Sequence, residues 1–336
     1  MINLNIRLTF IVCTYNGSKR LPETLSALIA ASQKTSGCEI LVIDNASTDN
    51  TQIVAEEQLK DSGIPYTILL ESKPGKANAL KLAFSQARGV FFSVVDDDNL
   101  VSPDWCDIAI NYLDTRANVG LIGPKIIGMF PEGEPPQEYY DEPVWQGMLG
   151  INDLGDQVIE GKYPFGAGMT GRTHVMNYLY EYVGTYLADR VGDKLTSGED
   201  HEKALMFKAL GWQGVYCPSL QLQHVIPKSR LNKMYIDRVI LSAMRSVDWL
   251  EILGKLHLSR ITILRNIAVD FLFLLRFSIK SIVVTKGGDI KRDPRFWRSF
   301  YWSRFLGSIQ LLTRYSEGKQ ILEKLAKAPN SVRSAQ

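Results

Sequence analysis

The sequence predicts an α/β fold: a mostly parallel sheet flanked by helices, with a helical extension at the carboxyl end. Three observations carry this. Short apolar runs alternate with segments of helical spacing over roughly the first hundred residues. Several of those runs end abruptly in polar, ligand-capable residues, most sharply at Val94-Val95-Asp96-Asp97-Asp98-Asn99. The chain after residue 235 reads as helical, basic and aromatic.

Leu8 to Cys13 is the first strand, closed by the turn residues Thr14-Tyr15-Asn16-Gly17. Leu21 to Ala31 has helical spacing behind Pro22, which suits a first helical turn. Glu39 to Ile43 is the second strand, ending in Asp44-Asn45-Ala46-Ser47-Thr48-Asp49. Ser47 or Thr48 can cap a helix from about Asp49 to Asp61. Tyr66 to Leu70 is the third strand. Lys73-Pro74-Gly75-Lys76 then leads into a helix from Ala77 to Ala87. Val90 to Val95, behind Gly89, is the fourth strand, and Pro103 fits the first turn of the next helix. Strand and helix in alternation imply right-handed crossovers, with the polar ends of several strands on one edge. That is where open α/β sheets bind ligands.

The triple Asp has two readings. Charges about 6 Å apart repel by roughly 3 kcal/mol per pair at an effective dielectric near 20, which favours a divalent cation holding substrate phosphates. Asp and Asn also favour solvated turns and helix caps. Other nucleotide folds fit poorly. No G-x-G-x-x-G follows the first strand, and no phosphate loop of Walker type is present. Lys76 is either a phosphate contact or a surface lysine.

Val119 to Ile127 is a further strand, followed by an irregular segment from Pro131 to Pro143. Tyr163 to Thr170 is glycine-rich and reads as a tight turn or a place of close backbone approach. Arg172 follows it as an anion contact. Thr196-Ser197-Gly198-Glu199-Asp200-His201-Glu202 precedes a helix from Lys203 to Leu210 and a strand from Gly214 to Cys217. Its acids either favour the helix amino terminus or include a general base. His224 lies near Lys228 and Arg230, as a structural side chain or as a diphosphate or metal contact.

Composition sets wider bounds. At 336 residues, 45% hydrophobic and 22% charged, the chain is long enough for one elaborated domain or two small ones. Cys13, Cys38, Cys106 and Cys217 are widely spaced, which argues against a disulfide framework or zinc site. The amino terminus lacks a signal-peptide pattern, so the expectation is cytoplasmic. Net charge is uneven: residues 1–254 carry 22 − 31 = −9 and residues 255–310 carry 11 − 3 = +8.

Five motifs together resemble the family 2 glycosyltransferases of the GT-A fold. They are Val12-Cys13-Thr14-Tyr15-Asn16, Ile43 to Asp49, Gly75-Lys76-Ala77-Asn78-Ala79-Leu80, Asp96-Asp97-Asp98-Asn99 with Pro103, and Gly198-Glu199-Asp200. The resemblance spans residues 8 to 235 and is most similar to bacterial, including cyanobacterial, exopolysaccharide enzymes. It implies inverting transfer of a sugar from a nucleoside diphosphate sugar, with Mn2+ or Mg2+. By that resemblance Thr14, Tyr15, Asn16 and Asp44 contact the nucleoside, and Lys76 lies near ribose or diphosphate. Asp96 and Asp97 join the donor site, Asp98 holds the metal, and Asp200, beside Glu199, is the base. His224 and Arg230 match a downstream His and basic residue near the diphosphate, with His224 a metal ligand. Cys13 stands where many relatives have Pro, and Asn45 where Asp is commoner. A diphosphate leaving group on a metal needs no protonated acid, so clustered Asp residues suit transfer better than glycoside hydrolysis.

Residues 261–285 are apolar but interrupted by Arg265, Asp270, Arg276 and Lys280. Charges at a bilayer midplane cost a few kcal/mol each, so an in-plane amphipathic helix suits better than a span. The basic, aromatic run from Lys291 to Arg304 resembles an interfacial segment; packing on the catalytic domain or a dimer contact is the alternative. No nucleic-acid motif is present. The expectation is a catalytic domain over 1–235, a helical extension over 236–336, and a glycan or lipid-linked acceptor of cell-surface polysaccharide synthesis. The protein is expected in the cytoplasm, with an anionic membrane surface as a candidate partner. A sugar nucleotidyltransferase and a non-catalytic sugar-nucleotide-binding protein are the alternatives.

Overall fold

The structure, a computed structural model, describes residues 5–135, 137, 143–164, 166–187, 198–283 and 294–334. Thr196, Ser197, Phe165 and Lys291 to Asp293 lie outside the described residues, as does part of the Pro131 to Pro143 segment.

The first half follows the expected alternation: β1 (Leu8–Thr14), α1 (Leu21–Lys34), β2 (Cys38–Asp44), α2 (Thr51–Leu59), β3 (Tyr66–Leu70), α3 (Lys76–Gln86) and β4 (Phe91–Val94). β1 and β2 are buried on both faces, which is why they read as unbroken apolar runs. After β4 come β5 (Asn99–Val101), α4 (Trp105–Asp114), β6 (Val119–Met129), α5 (Pro143–Met148), β7 (Ile159–Glu160), β8 (Thr170–Arg172) and α6 (Thr173–Tyr178). Then follow α7 (Glu199–Ala209) and the 13-residue β9 (Gln213–Val225).

The sheet has the order β3-β2-β1-β4-β8-β6-β9-β5, with β7 beside β9. β1 to β4 pair in parallel, as does β6 with β9, but β8, β5 and β7 run antiparallel to their neighbours. The sheet is therefore mixed, with its longest pairings parallel and only short antiparallel ones. Parallel neighbours need a long crossover between them. The chain instead turns sharply after the triple Asp, with the Asn99 N–H donating to the Asp96 carbonyl at 3.0 Å, and runs straight into β5.

Two expectations shift. α7 starts at Glu199, so its acids lie inside the helix's first turn, behind Gly198 at φ 115°. Arg172 is not an anion contact. Its Nε donates to the Val119 carbonyl at 2.9 Å and Nη2 to the Leu113 carbonyl at 3.0 Å, while its guanidinium lies 5.0 Å from the Trp212 ring. It fastens β8 to the end of α4.

The sheet separates two apolar cores. One lies under α1, α2 and α4 and is built on Phe10, Leu25, Trp105 and Leu220. The other starts from Ile11, Phe84 and Phe92 and continues without a break into Trp249, Ile263, Leu311, Ile321 and Val332. The carboxyl-terminal helices are α8 (Lys233–Met244), α9 (Val247–Lys255), α10 (Arg260–Val283), α11 (Pro294–Thr313) and α12 (Tyr315–Ala326). Gly307 lets α11 cross close to the end of α8, where a Cβ would collide with the Arg245 carbonyl. Asp270, which as a sequence looks like a charge interrupting an apolar helix, is buried and faces Arg304 Nε at 3.2 Å. Arg304 also faces the buried Asp248, at 3.5 Å, tying α9, α10 and α11 together.

Candidate active site

The sheet's strand order reverses at β1, whose neighbours are β2 and β4, so a crevice opens beyond their carboxyl ends. Thr14, Tyr15, Asn16 and Asp44 occupy its rim. Tyr15 is 58% exposed, a free-standing ring at the strand end. Asn16 adopts φ +48°, and its Oδ1 accepts from the Thr48 N–H at 2.8 Å, joining the first two motif loops. Asp44 is only 2% exposed, with one oxygen accepting from the Ser47 N–H at 2.9 Å and the other from Gln52 at 2.6 Å. In this arrangement Asp44 shapes the loop after β2, and each of its oxygens keeps one further lone pair.

Asn45 explains its own departure from Asp. Its amide nitrogen donates to the carbonyls of Lys73 at 2.7 Å and Glu71 at 3.1 Å, while its oxygen accepts from the Gly75 N–H at 2.7 Å. A carboxylate could only accept. This clamp sets the loop that delivers Lys76, first residue of α3, to an ion pair with Asp96.

The three Asp residues do three things. Asp96 meets Lys76. Asp97 accepts from the Thr14 hydroxyl at 2.6 Å and from Arg20 at 2.8 Å, so it ties β1 and the start of α1 to the turn. Asp98 lies deepest, with Arg230 Nη1 at 3.2 Å and His224 Nε2 at 3.6 Å. Burial opposes its ionisation, yet His224, Arg230 and Lys76 outweigh that and hold the carboxyl at about 2. His224 reaches the spot because β9 runs far beyond Cys217, pairing His224 with Asn99.

Asp200 faces the glycine-rich segment. Its Oδ2 accepts from the Gly166 N–H at 2.7 Å and its Oδ1 from the His201 N–H at 2.9 Å. Burial opposes its ionisation, but these donors and the His201 ring hold it well below the usual carboxylate range. Glu199 is buried and accepts from the Tyr180 hydroxyl at 2.9 Å. Glu202, fully buried, accepts from Trp249 Nε1 at 2.7 Å and so anchors α9 behind the site.

One cavity of about 530 Å3 joins these groups. It is lined by eight of the twelve sequence-selected residues: Lys76, Asp96, Asp97, Asp98, Glu199, Asp200, His224 and Arg230. Thr14, Tyr15, Asn16 and Asp44 stay outside it, linked through the Thr14–Asp97 bond. The far wall comes from beyond residue 235, with Val239, Ala243, Val247 and Leu250. Sequence reasoning missed that wall, Arg20 and Glu202. Arg20 was findable as a cation just after the first motif. Glu202 stands in the acidic cluster, but its anchoring role has no sequence signal, because its partner Trp249 lies 47 residues away.

Among the described residues, no three His, Cys, Asp or Glu side chains form a metal cage. Asp98 and His224 nonetheless converge as an oxygen and an imidazole donor, and the buried His224 Nδ1 has no hydrogen-bond partner among the described residues. Mg2+-type sites take one or two carboxylates and complete their shell from substrate phosphates and water, so the pair fits a cation that arrives with a phosphorylated ligand.

Residues 9–170 match the family model Glycosyl transferase family 2. An uncharacterized glycosyltransferase of Haemophilus influenzae is 27% identical over 151 residues, 44% of this chain and 46% of the relative. The poly(ribitol-phosphate) beta-N-acetylglucosaminyltransferase TarS of Staphylococcus aureus is 28% identical over 131 residues, 39% of this chain and 22% of the relative. The chain thus spans less than half the length of these curated relatives. A mannosyltransferase from Pyrobaculum calidifontis, solved with GDP-Man and Mn2+, superposes with a TM-score of 0.51 at 16% identity, over 92% of this chain and 75% of that one. At that identity the likeness is one of fold. Residues 9–170 are a family 2 glycosyltransferase domain, set in a GT-A fold.

Proposed function

We propose that this protein transfers a sugar, with inversion, from a nucleoside diphosphate sugar to a hydroxyl of a glycan or lipid-linked acceptor in cell-surface polysaccharide synthesis. The observation that carries the reading is that Asp98, with its cationic neighbours, and Asp200, with its backbone donors, line the same cavity.

The chemistry follows from the charges. The nucleoside lies on the β1 and β2 rim, where the Tyr15 ring is exposed for stacking and Asp44 and Asn16 hold the loops in register. The diphosphate gains negative charge as the glycosidic bond breaks, and Lys76 and Arg230, which both line the cavity, offset it. Asp98 and His224 would hold Mn2+ or Mg2+, which supplies Lewis-acid stabilisation of that leaving group. Asp200 is ionised throughout the neutral range and accepts the acceptor's hydroxyl proton as the new bond forms. Its weak basicity suits a late proton transfer, when the attacking oxygen has become acidic. One displacement gives inversion. Glu199, bonded to Tyr180, positions the first turn of α7 that carries Asp200. Residues 1–235 carry the chemistry, and the following helices close the acceptor side.

The test is nucleoside diphosphate release from a panel of nucleotide sugars with glycan acceptors. Asp200→Asn and Asp98→Asn each keep the side chain's size, and each should lower turnover about a thousandfold while the circular dichroism spectrum shows the fold retained. Unchanged turnover in both variants overturns the assignment.

A further inference from the structure

α10 is an unusual surface helix. Of the nineteen exposed large hydrophobic side chains among the described residues, seven lie on this one helix of 24 residues. Ile261 is 80% exposed, Leu272 64% and Ile279 66%, with Leu264 and Leu275 between them. At 100° per residue these five fall within about 80° of one another, a continuous stripe rather than scattered contacts. The opposite side of the helix is fixed by packing. Phe273 stacks on Tyr301 at 4.7 Å, Phe277 lies 5.6 Å from the same ring, and Asp270 is locked to Arg304. The hairpin of α10 and α11 therefore cannot roll its stripe inward without breaking a buried ion pair and an aromatic stack.

Charge says what covers the stripe. Arg265 and Arg276 sit about 20° apart along one flank, with Lys280 about 40° further round. The only acidic residue of α10 is Asp270, on the buried side. Trp302, 48% exposed on α11, adds an amphipathic ring beside the patch. An apolar stripe flanked by cations alone is complementary to a planar surface that is apolar below and anionic above. A second copy of the same face would bring like charges together. No described helix is long and apolar enough to cross a membrane.

We propose that the outward face of α10 docks in the plane of an anionic lipid bilayer, with Arg265, Arg276 and Lys280 on headgroups and Ile261, Leu272 and Ile279 below them. Because α11 packs against α8 and α9, which wall the cavity, docking on this face holds the cavity at a fixed distance from the bilayer. The inference does not depend on which reaction the cavity performs.

The full chain is floated with vesicles of phosphatidylcholine containing about one third phosphatidylglycerol, and with vesicles of phosphatidylcholine alone, at low salt and at about 0.5 M NaCl. Binding is expected to the anionic vesicles and to weaken with salt. Leu272→Glu with Ile279→Glu should lower partitioning at least about tenfold, and Arg265→Gln with Arg276→Gln by a similar factor, with unchanged melting temperatures. The proposal is overturned if the chain ignores anionic vesicles at low salt, if it binds neutral vesicles equally, or if folded variants bind as wild type. It is also overturned if wild type is a dimer that Leu272→Glu with Ile279→Glu dissociates while vesicle binding persists, which assigns the face to a second copy.

Discussion

Asn45→Asp isolates the loop that carries Lys76. The substitution is nearly isosteric and restores the residue commoner in the family, yet the structure makes it unfavourable. Asn45 donates to two carbonyls, at 2.7 and 3.1 Å, in a site where the residue is 8% exposed. Losing both bonds costs about 1 kcal/mol each, and a carboxylate facing carbonyl oxygens adds about 1 more, for a total near 3 kcal/mol. With an unfolding entropy of roughly 0.7 kcal/mol/K for a chain this long, the melting temperature should fall by about 4 °C. The loss has a pH signature. The new carboxyl, buried against acceptors, has a folded pKa above its unfolded value near 4. Its penalty is therefore complete above the folded pKa and shrinks as pH falls toward the unfolded one, because the neutral acid regains one donor. Scanning calorimetry of both proteins at about pH 7.5 and pH 5 reads this directly. Equal melting temperatures at both pH values would refute the clamp.

Two further outcomes follow from the same geometry. Asp97→Ala should cost about 1–2 kcal/mol in urea unfolding, since it removes the Thr14 bond and a half-exposed Arg20 pair. If instead it leaves stability intact and abolishes turnover, Asp97 belongs to the chemistry. His201 has its pKa raised, first by the Asp200 carboxylate 3.8 Å from its ring. It therefore stabilises the fold below its unfolded pKa near 6.5, and that contribution disappears as pH rises through the raised value. His201→Asn should lose stability relative to wild type at acidic pH and converge with it at alkaline pH; parallel curves contradict the pairing.

The strands were legible where both faces are covered, because Leu8 to Cys13 and Glu39 to Ile43 have no reason to alternate. The ligand edge was legible because Asp96 to Asp98 cannot be placed inside a strand. What stayed hidden depends on pairing across sequence. His224 reached the cavity only through a strand that pairs it with Asn99, 125 positions earlier. Asp270 read as an interruption until Arg304 supplied its partner from the next helix. Arg172 read as an anion contact because nothing local announces four carbonyls as its partners. The far wall of the cavity, from Val239 to Leu250, was invisible for the same reason: ordinary helix residues came to line a cavity by where the helices pack.

The central claim, that the cavity is built for a nucleoside diphosphate sugar with a divalent cation, is tested most directly by thermal shift. Wild type and Asp98→Asn are melted with a panel of nucleoside diphosphate sugars and nucleoside triphosphates, with and without Mn2+. The account predicts that at least one nucleoside diphosphate sugar stabilises wild type only when Mn2+ is present, and that Asp98→Asn loses the shift. Stabilisation by a nucleoside triphosphate alone, or a shift retained in Asp98→Asn, would contradict it.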